Sequence, residues 1–174
     1  MIESKKLEGL SRYGILLQLL KNKNQQFVKS QYSELVITWS EKTPVNNSLD
    51  TLKNRDSLPA KVLYQIYGDH HIYGRDTLLY IGITKNADAR FYTHLKGVFG
   101  YVNALTISFG ILKDFDTEKF TVPESILIAN HKPSYNKEFL HDLATEAKKE
   151  KIIVINNGNN YMLKTCCTNY WWVN

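Results

Sequence analysis

Two phenols, a guanidinium, an imidazole and a lone carboxylate follow one another through the middle of this chain as Tyr64, Tyr80, Arg90, His94 and Glu124, with the amide Asn136 behind them. Phosphodiester hydrolysis asks for such a set. A water must lose a proton in line with phosphorus, the developing equatorial charge must be neutralised, and the leaving 3′ oxygen must be stabilised. Glu124 is the candidate for a hard divalent ion, because one carboxylate suits a hydrated Mg²⁺ that keeps several of its waters. Arg90 is the candidate for the phosphate, and Tyr64, Tyr80 and His94 for positioning and proton handling. His70 and His71 lack a third ligand placed for zinc.

These residues need elements that bring them together. Val62 to Tyr67 and Leu78 to Ile83 are rich in β-branched and aromatic residues, with Gly68, Asp69, Gly74 and Asp76 between them, which predicts an antiparallel hairpin. A loop centred near Ile72 sets Tyr64 opposite Tyr80, close enough for both to act on one ligand. That loop, from Gly68 to Thr77, is long and carries His70, His71, Tyr73 and Arg75, a composition suited to ligand contact or to a plain surface loop. Asn86 is the expected N-cap of a helix from Ala87 to Lys96, in which Arg90 and His94 share one face. Ala104 to Leu112 reads as a third strand. Thr121 is the expected cap of a second helix, with Pro123 in its first turn and Lys132-Pro133 ending it.

Outside this stretch, residues 6 to 21 show helical spacing of leucines, and Lys21, Lys23 and Lys29 follow. Glu34 to Trp39 is a strand or the end of a helix. Turn formers fill Ser40 to Pro59. Lys137 to Lys149 reads as a charged helix, and Lys151 to Ile155 with Tyr161 to Lys164 as a hairpin turning through Asn156 to Asn160. Trp171 and Trp172 form an aromatic end that more often packs on the domain or a subunit neighbour than binds a base. The expected organisation is an extension over residues 1–60, a core over 61–137 and a C-terminal helix and hairpin over 138–174.

The chain has 174 residues and a net charge of +5, with 43% hydrophobic and 22% charged residues; this is ordinary globular composition, and the charge permits a phosphate-bearing partner without requiring one. No apolar run approaches the roughly 20 residues of a membrane span, and no leader pattern stands at the start. Cys166 and Cys167 are adjacent, a spacing that fits reduced thiols and a cytoplasmic setting better than a disulfide or zinc knuckle.

Val62-Leu63-Tyr64, Tyr80-Ile81-Gly82, Arg90, His94, Glu124, Pro133 and Asn136 together resemble the signature of the GIY-YIG nuclease superfamily. The likeness covers residues 62 to 136. It departs from the pattern at Val62 and Leu63, which stand for glycine and isoleucine, and in the long interval from Tyr64 to Tyr80. The resemblance implies an α+β fold with a small mixed or antiparallel three-stranded sheet flanked by helices. It also implies a Mg²⁺-dependent endonuclease (Mn²⁺ substituting) acting on double-stranded DNA. Tyr64 would accept the proton of the attacking water with help from His94, and Tyr80 would bond the scissile phosphate or the water. Arg90 would stabilise the transition state, Glu124 would bind the metal and Asn136 would brace the site. Tyr67 is a rival for Tyr64 should the register shift. A stand-alone, site-specific restriction enzyme is the nearest match within the superfamily, working as a homodimer or by successive encounters. The alternatives are a homing endonuclease and a nucleic-acid-binding protein that keeps the fold without cutting. Singly, each of these residues is more often packing or surface charge than catalyst; the order and helical phase of the whole set carry the expectation.

Overall fold

The structure is a computed structural model and describes residues 32–45, 61–85, 87–112 and 120–173. The expected helix at 6–21, the lysines after it, most of the turn-rich stretch and the Asn86 cap lie outside the described residues.

Alternating β-branched and aromatic residues build the frame. The strands are β1 (Ser33–Trp39), β2 (Thr43–Pro44), β3 (Val62–His70), β4 (Gly74–Thr84), β5 (Thr106–Leu112), β6 (Ile152–Gly158) and β7 (Cys166–Thr168). Two α-helices are described, α1 (Ala87–Lys96) and α2 (Thr121–His131). All the strands belong to one seven-stranded sheet in the order β4-β3-β5-β1-β6-β7, with the short β2 alongside β5. β1 and β6 run parallel and the other pairs antiparallel.

This corrects the expected three-stranded sheet flanked by helices. Its three strands are present as β4-β3-β5, but β1, β6 and β7 extend the same sheet. The reason is hydrophobic: Leu35, Ile37, Trp39, Ile152 and Val154 are buried against the α2 side chains Ile126, Leu127 and Ile128. Strands from both sides of residues 61–137 therefore share one core with it. Trp39 also donates its indole N–H to the buried Asn156 at 2.9 Å, so β6 continues through Asn156-Asn157-Gly158 instead of turning there, and its partner is β7 rather than Tyr161 to Lys164. The charged helix expected at 137–149 is reduced to a short 3₁₀ turn, Thr145–Lys148. Phe139 adopts a left-handed φ of 59°, which a helix interior does not accept, and Asn169 binds the Ala147 and Glu150 carbonyls with its side-chain amide.

Opposite faces of β3 enter different clusters. Leu63 and Tyr67 join the α2 side, whereas Val62, Tyr64 and Ile66 pack with Phe99, Leu105, Ile107 and Phe109 on the other. In α2, Phe120 is the N-cap and Thr121 the first helical residue; Lys132, left-handed with φ 49°, ends the helix by donating its N–H to the Ile128 carbonyl.

Candidate active site

β3 and β4 meet at a tight turn, His71-Ile72-Tyr73, rather than at a long loop. His70 pairs with Gly74, whose φ of +93° supplies the left-handed residue such a turn needs. Moving away from the turn, two irregularities, between Gly68 and His70 and between Ile66 and Tyr67, each add a residue to β4. The register thereby moves by two, so that Tyr64 lies opposite Gly82 and Tyr80 opposite Ile66. The expected direct pairing of Tyr64 with Tyr80 is thus a diagonal one. A single slip would have sent the phenols to opposite faces; two slips restore the parity.

The two rings stack with centroids 5.9 Å apart. Gly82 makes this possible: a Cβ there would lie 2.6 Å from Tyr80 Cε1 and 2.7 Å from Tyr64 Cζ and Oη. Val62, where the signature has glycine, is buried in the same cluster as Tyr64 and leaves the tyrosine in position.

α1 brings Arg90 and His94 to these rings. Tyr64 Oη lies 2.9 Å from His94 Nε2, and the His94 ring is 4.9 Å from that of Tyr80. Arg90 is exposed, yet its guanidinium reaches both phenolic oxygens, and these contacts, with Tyr64 first, strengthen its hold on its proton. Burial, then the Arg90 charge, pushes His94 down to about 4. Burial raises the Tyr64 phenol well above its ordinary range, reinforced by Tyr80 and opposed by Arg90. With the phenol protonated and the imidazole neutral, we assign the hydroxyl as donor to Nε2, so that the oxygen lone pairs of Tyr64 face the Arg90 guanidinium and the Tyr80 hydroxyl.

Glu124 and Asn136 arrive along the outer edge of β4. As the last of the described strands in the sheet, β4 has outward backbone groups that no described strand pairs. Asn136 acts as a substitute strand: its Oδ1 accepts from Ile81 N at 3.0 Å and its Nδ2 donates to Ile81 O at 2.8 Å. Tyr135 N donates to Leu79 O at 2.9 Å. Glu124 continues the series by accepting the Ile83 N–H. Asn136 therefore holds the strand that carries Tyr80 and Gly82. Glu124 is pushed up to about 7, chiefly by burial and also by Glu138, against the pull of Ile83 N–H, Arg90 and Lys61. Its carboxylate thus lies within the field of Arg90, at the edge of β4, while the apolar side chains of α2 pack on the face of the sheet opposite the two rings.

Comparison with protein families, curated proteins and solved structures gives no match.

Among the described residues no cluster of three His, Cys, Asp or Glu side chains could hold a metal ion. A multi-carboxylate cage is therefore not built here, whereas a hydrated hard cation needing one protein carboxylate fits Glu124, a mostly buried acid whose ionised form gains from a nearby positive charge. Tyr67, the rival phenol, points to the opposite face, where its hydroxyl donates to Gln65. Two side chains of the site escaped the sequence reading. Phe99 packs edge-on to His94 at 5.4 Å and Tyr80 at 6.1 Å, and Tyr135 packs on Phe99 at 5.3 Å. Their signal was position alone, one aromatic just past the helix end and one between Pro133 and Asn136. Among the described residues no helix is long and apolar enough to cross a membrane.

Proposed function

We propose that this protein is a divalent-metal-dependent endonuclease that hydrolyses phosphodiester bonds in DNA with GIY-YIG-type chemistry. The observation that carries the reading is the 2.9 Å contact between Tyr64 Oη and a neutral His94, with Arg90 reaching both phenols.

This contact is a proton relay in its resting state. As a bound phosphate draws Arg90 towards it, water donates to the lone pair of Tyr64 Oη that the guanidinium leaves; as the water proton moves to that oxygen, the phenolic proton moves to His94 Nε2, and hydroxide adds to phosphorus while the P–O3′ bond breaks. A residue held near 4 is a weak base in the free protein, but phosphate charge developing beside it favours the imidazolium. Arg90, shared between the phenols, neutralises that charge, and Tyr80 orients a phosphate oxygen or the water. Glu124 would hold Mg²⁺, or Mn²⁺ in its place, which supplies Lewis-acid stabilisation of the leaving oxygen. Asn136 positions Tyr80 through the strand.

Within this class the signature favours a restriction-like, site-specific enzyme on duplex DNA, with a homodimer suiting a symmetric target. The free thiols of Cys166 and Cys167 suit a cytoplasmic setting. Plasmid nicking with Mg²⁺ tests the reading. Wild type should relax supercoiled DNA, and Glu124→Ala should bind the same plasmid without cutting it. Wild type that binds DNA but cuts none with either Mg²⁺ or Mn²⁺ would leave a binding protein in place of the enzyme.

A further inference from the structure

The ring contacts that start at the candidate site do not stop there. Phe99, edge-on to Tyr80 and His94, touches Tyr135, and Tyr135 touches His70 at 5.9 Å. These contacts, which lead from Tyr80 and His94 through Phe99 and Tyr135 to His70, are edge-to-face, the arrangement of packed aromatics. At the turn between β3 and β4 the geometry changes. His70 stacks nearly parallel on His71 and on Tyr73, each at 4.6 Å, with interplanar angles of 21° and 24°. His70 is fixed in place, since its Nδ1 accepts the N–H groups of Ile72 and Tyr73 at 3.2 and 3.3 Å. The outer rings are not covered: Tyr73 is 67% exposed, and His71 is exposed as well.

A parallel ring stack held rigid on a tight turn, ending in solvent and continuous with a phosphate-cleaving centre, has the form of a base-stacking platform. Bases inside a duplex have both faces occupied by their neighbours, so an open ring face can continue only into a base that is unpaired or swung out. Arg75, the exposed residue after Gly74, adds positive charge to the same end of the hairpin. Of the two carboxylates there, Asp76 is paired with Lys42 at 2.7 Å and Asp69 accepts the Asp76 N–H. We infer that the turn His70–Arg75 stacks on unpaired bases of the DNA strand beside the scissile phosphate, so that the duplex proposed above as substrate is one that offers unpaired bases next to the cut. The inference rests on the nuclease reading for which phosphate is cut, but the stacking can be measured without cleavage.

The experiment uses the whole protein in EDTA and a DNA single strand carrying one fluorescent aminopurine base, against a fully paired duplex of the same sequence. Wild type should quench the probe on binding. Tyr73→Ala, at an exposed turn position, should bind the single strand roughly tenfold more weakly and lose the quenching, Tyr73→Phe should behave as wild type, and duplex binding should stay the same. Equal single-strand affinity and quenching in wild type and Tyr73→Ala would overturn the platform even if plasmid cutting is confirmed, and so would equal losses on single strand and duplex. A wild-type dimer that Tyr73→Ala dissociates would overturn it too, by placing a second copy on the rings. Retained Tyr73-dependent quenching in a protein that cuts no DNA would keep the platform and remove the nuclease.

Discussion

Tyr64 and Tyr67 stand three residues apart on β3, both buried and both with phenols that burial raises well above the ordinary range. Each has a cation at its ring or hydroxyl, yet the two surroundings differ in kind. The Tyr67 cluster is closed. Its hydroxyl donates to Gln65 and accepts weakly from Met162 N at 3.4 Å, and Lys42 sits 3.6 Å over its ring and 4.3 Å from that of Tyr161. Asp76 neutralises that lysine. The Tyr64 cluster is open: its hydroxyl meets an imidazole kept neutral, its cation is an exposed arginine shared between two phenols, and a carboxylate near neutrality lies in the field of that arginine. A shifted pKa does not by itself separate them from packing residues. His131 is also pushed to about 4 by burial, but its Nδ1 donates to Leu127 O and its Nε2 accepts from Lys164 N, each at 2.8 Å. An exposed cation shared between two phenols, where Lys42 is instead neutralised by Asp76, distinguishes the candidate site from its structural counterpart.

Removing the two cations should break the comparison most sharply. Arg90→Ala is expected to raise the barrier to cleavage by about 3 kcal/mol, a loss of roughly two orders of magnitude, as when an oxyanion donor is deleted. Lys42→Ala should leave turnover within a few-fold and show its effect in thermal stability, because Asp76 and two ring faces lose their partner. Single-turnover cleavage and melting curves on both variants read the two outcomes. Similar turnover losses in both would mean that the open cluster has no special role.

The phenols give a finer version of the same contrast. Tyr64→Phe removes the relay oxygen and should slow the chemical step about a hundredfold with little change in DNA affinity. Tyr67→Phe deprives the buried Gln65 Oε1 of its donor, a stability cost of about 1 kcal/mol, and should leave the rate near that of wild type. Gln65 is fully buried and its Nε2 already has no partner, so it has no alternative bond with which to recover.

How far the sequence revealed this site depends on the kind of interaction involved. Local signals were legible. α1 occupies Ala87–Lys96, the limits expected of a helix that follows Asn86, and β5 and α2 fall close to their expected limits. Register was not legible, because bulges are set by what the strand packs against; the sequence put Tyr64 opposite Tyr80, and two bulges moved the pair onto a diagonal. The size of the sheet was hidden for a similar reason. The parallel pairing of β1 with β6 joins residues more than a hundred positions apart, and no periodicity within either strand reports its partner. Edge protection was equally hidden: the roles of Asn136 and Glu124 along β4 depend on β4 being the last of the described strands.

If the two regions differ as function differs from packing, they should also differ in the sign of their effect on stability, and Glu124 tests this. Its folded pKa of about 7 lies above the ordinary value of 4.5, so between those values the unfolded chain is ionised while the folded protein retains its proton. The stability that Glu124 contributes is therefore fully present below about pH 4.5 and is lost as pH rises through 7. Glu124→Gln does not titrate, and its side-chain oxygen can still accept the Ile83 N–H. The variant should match wild type near pH 4 and exceed it at pH 8 without divalent metal, by on the order of 2 kcal/mol, or about 5 °C in melting temperature. Added Mg²⁺ should narrow the gap by stabilising the ionised wild type alone. A Gln variant less stable than wild type at pH 8 would make the carboxylate a structural brace for β4, placing Glu124 with Tyr67 and Lys42 rather than with the reactive cluster.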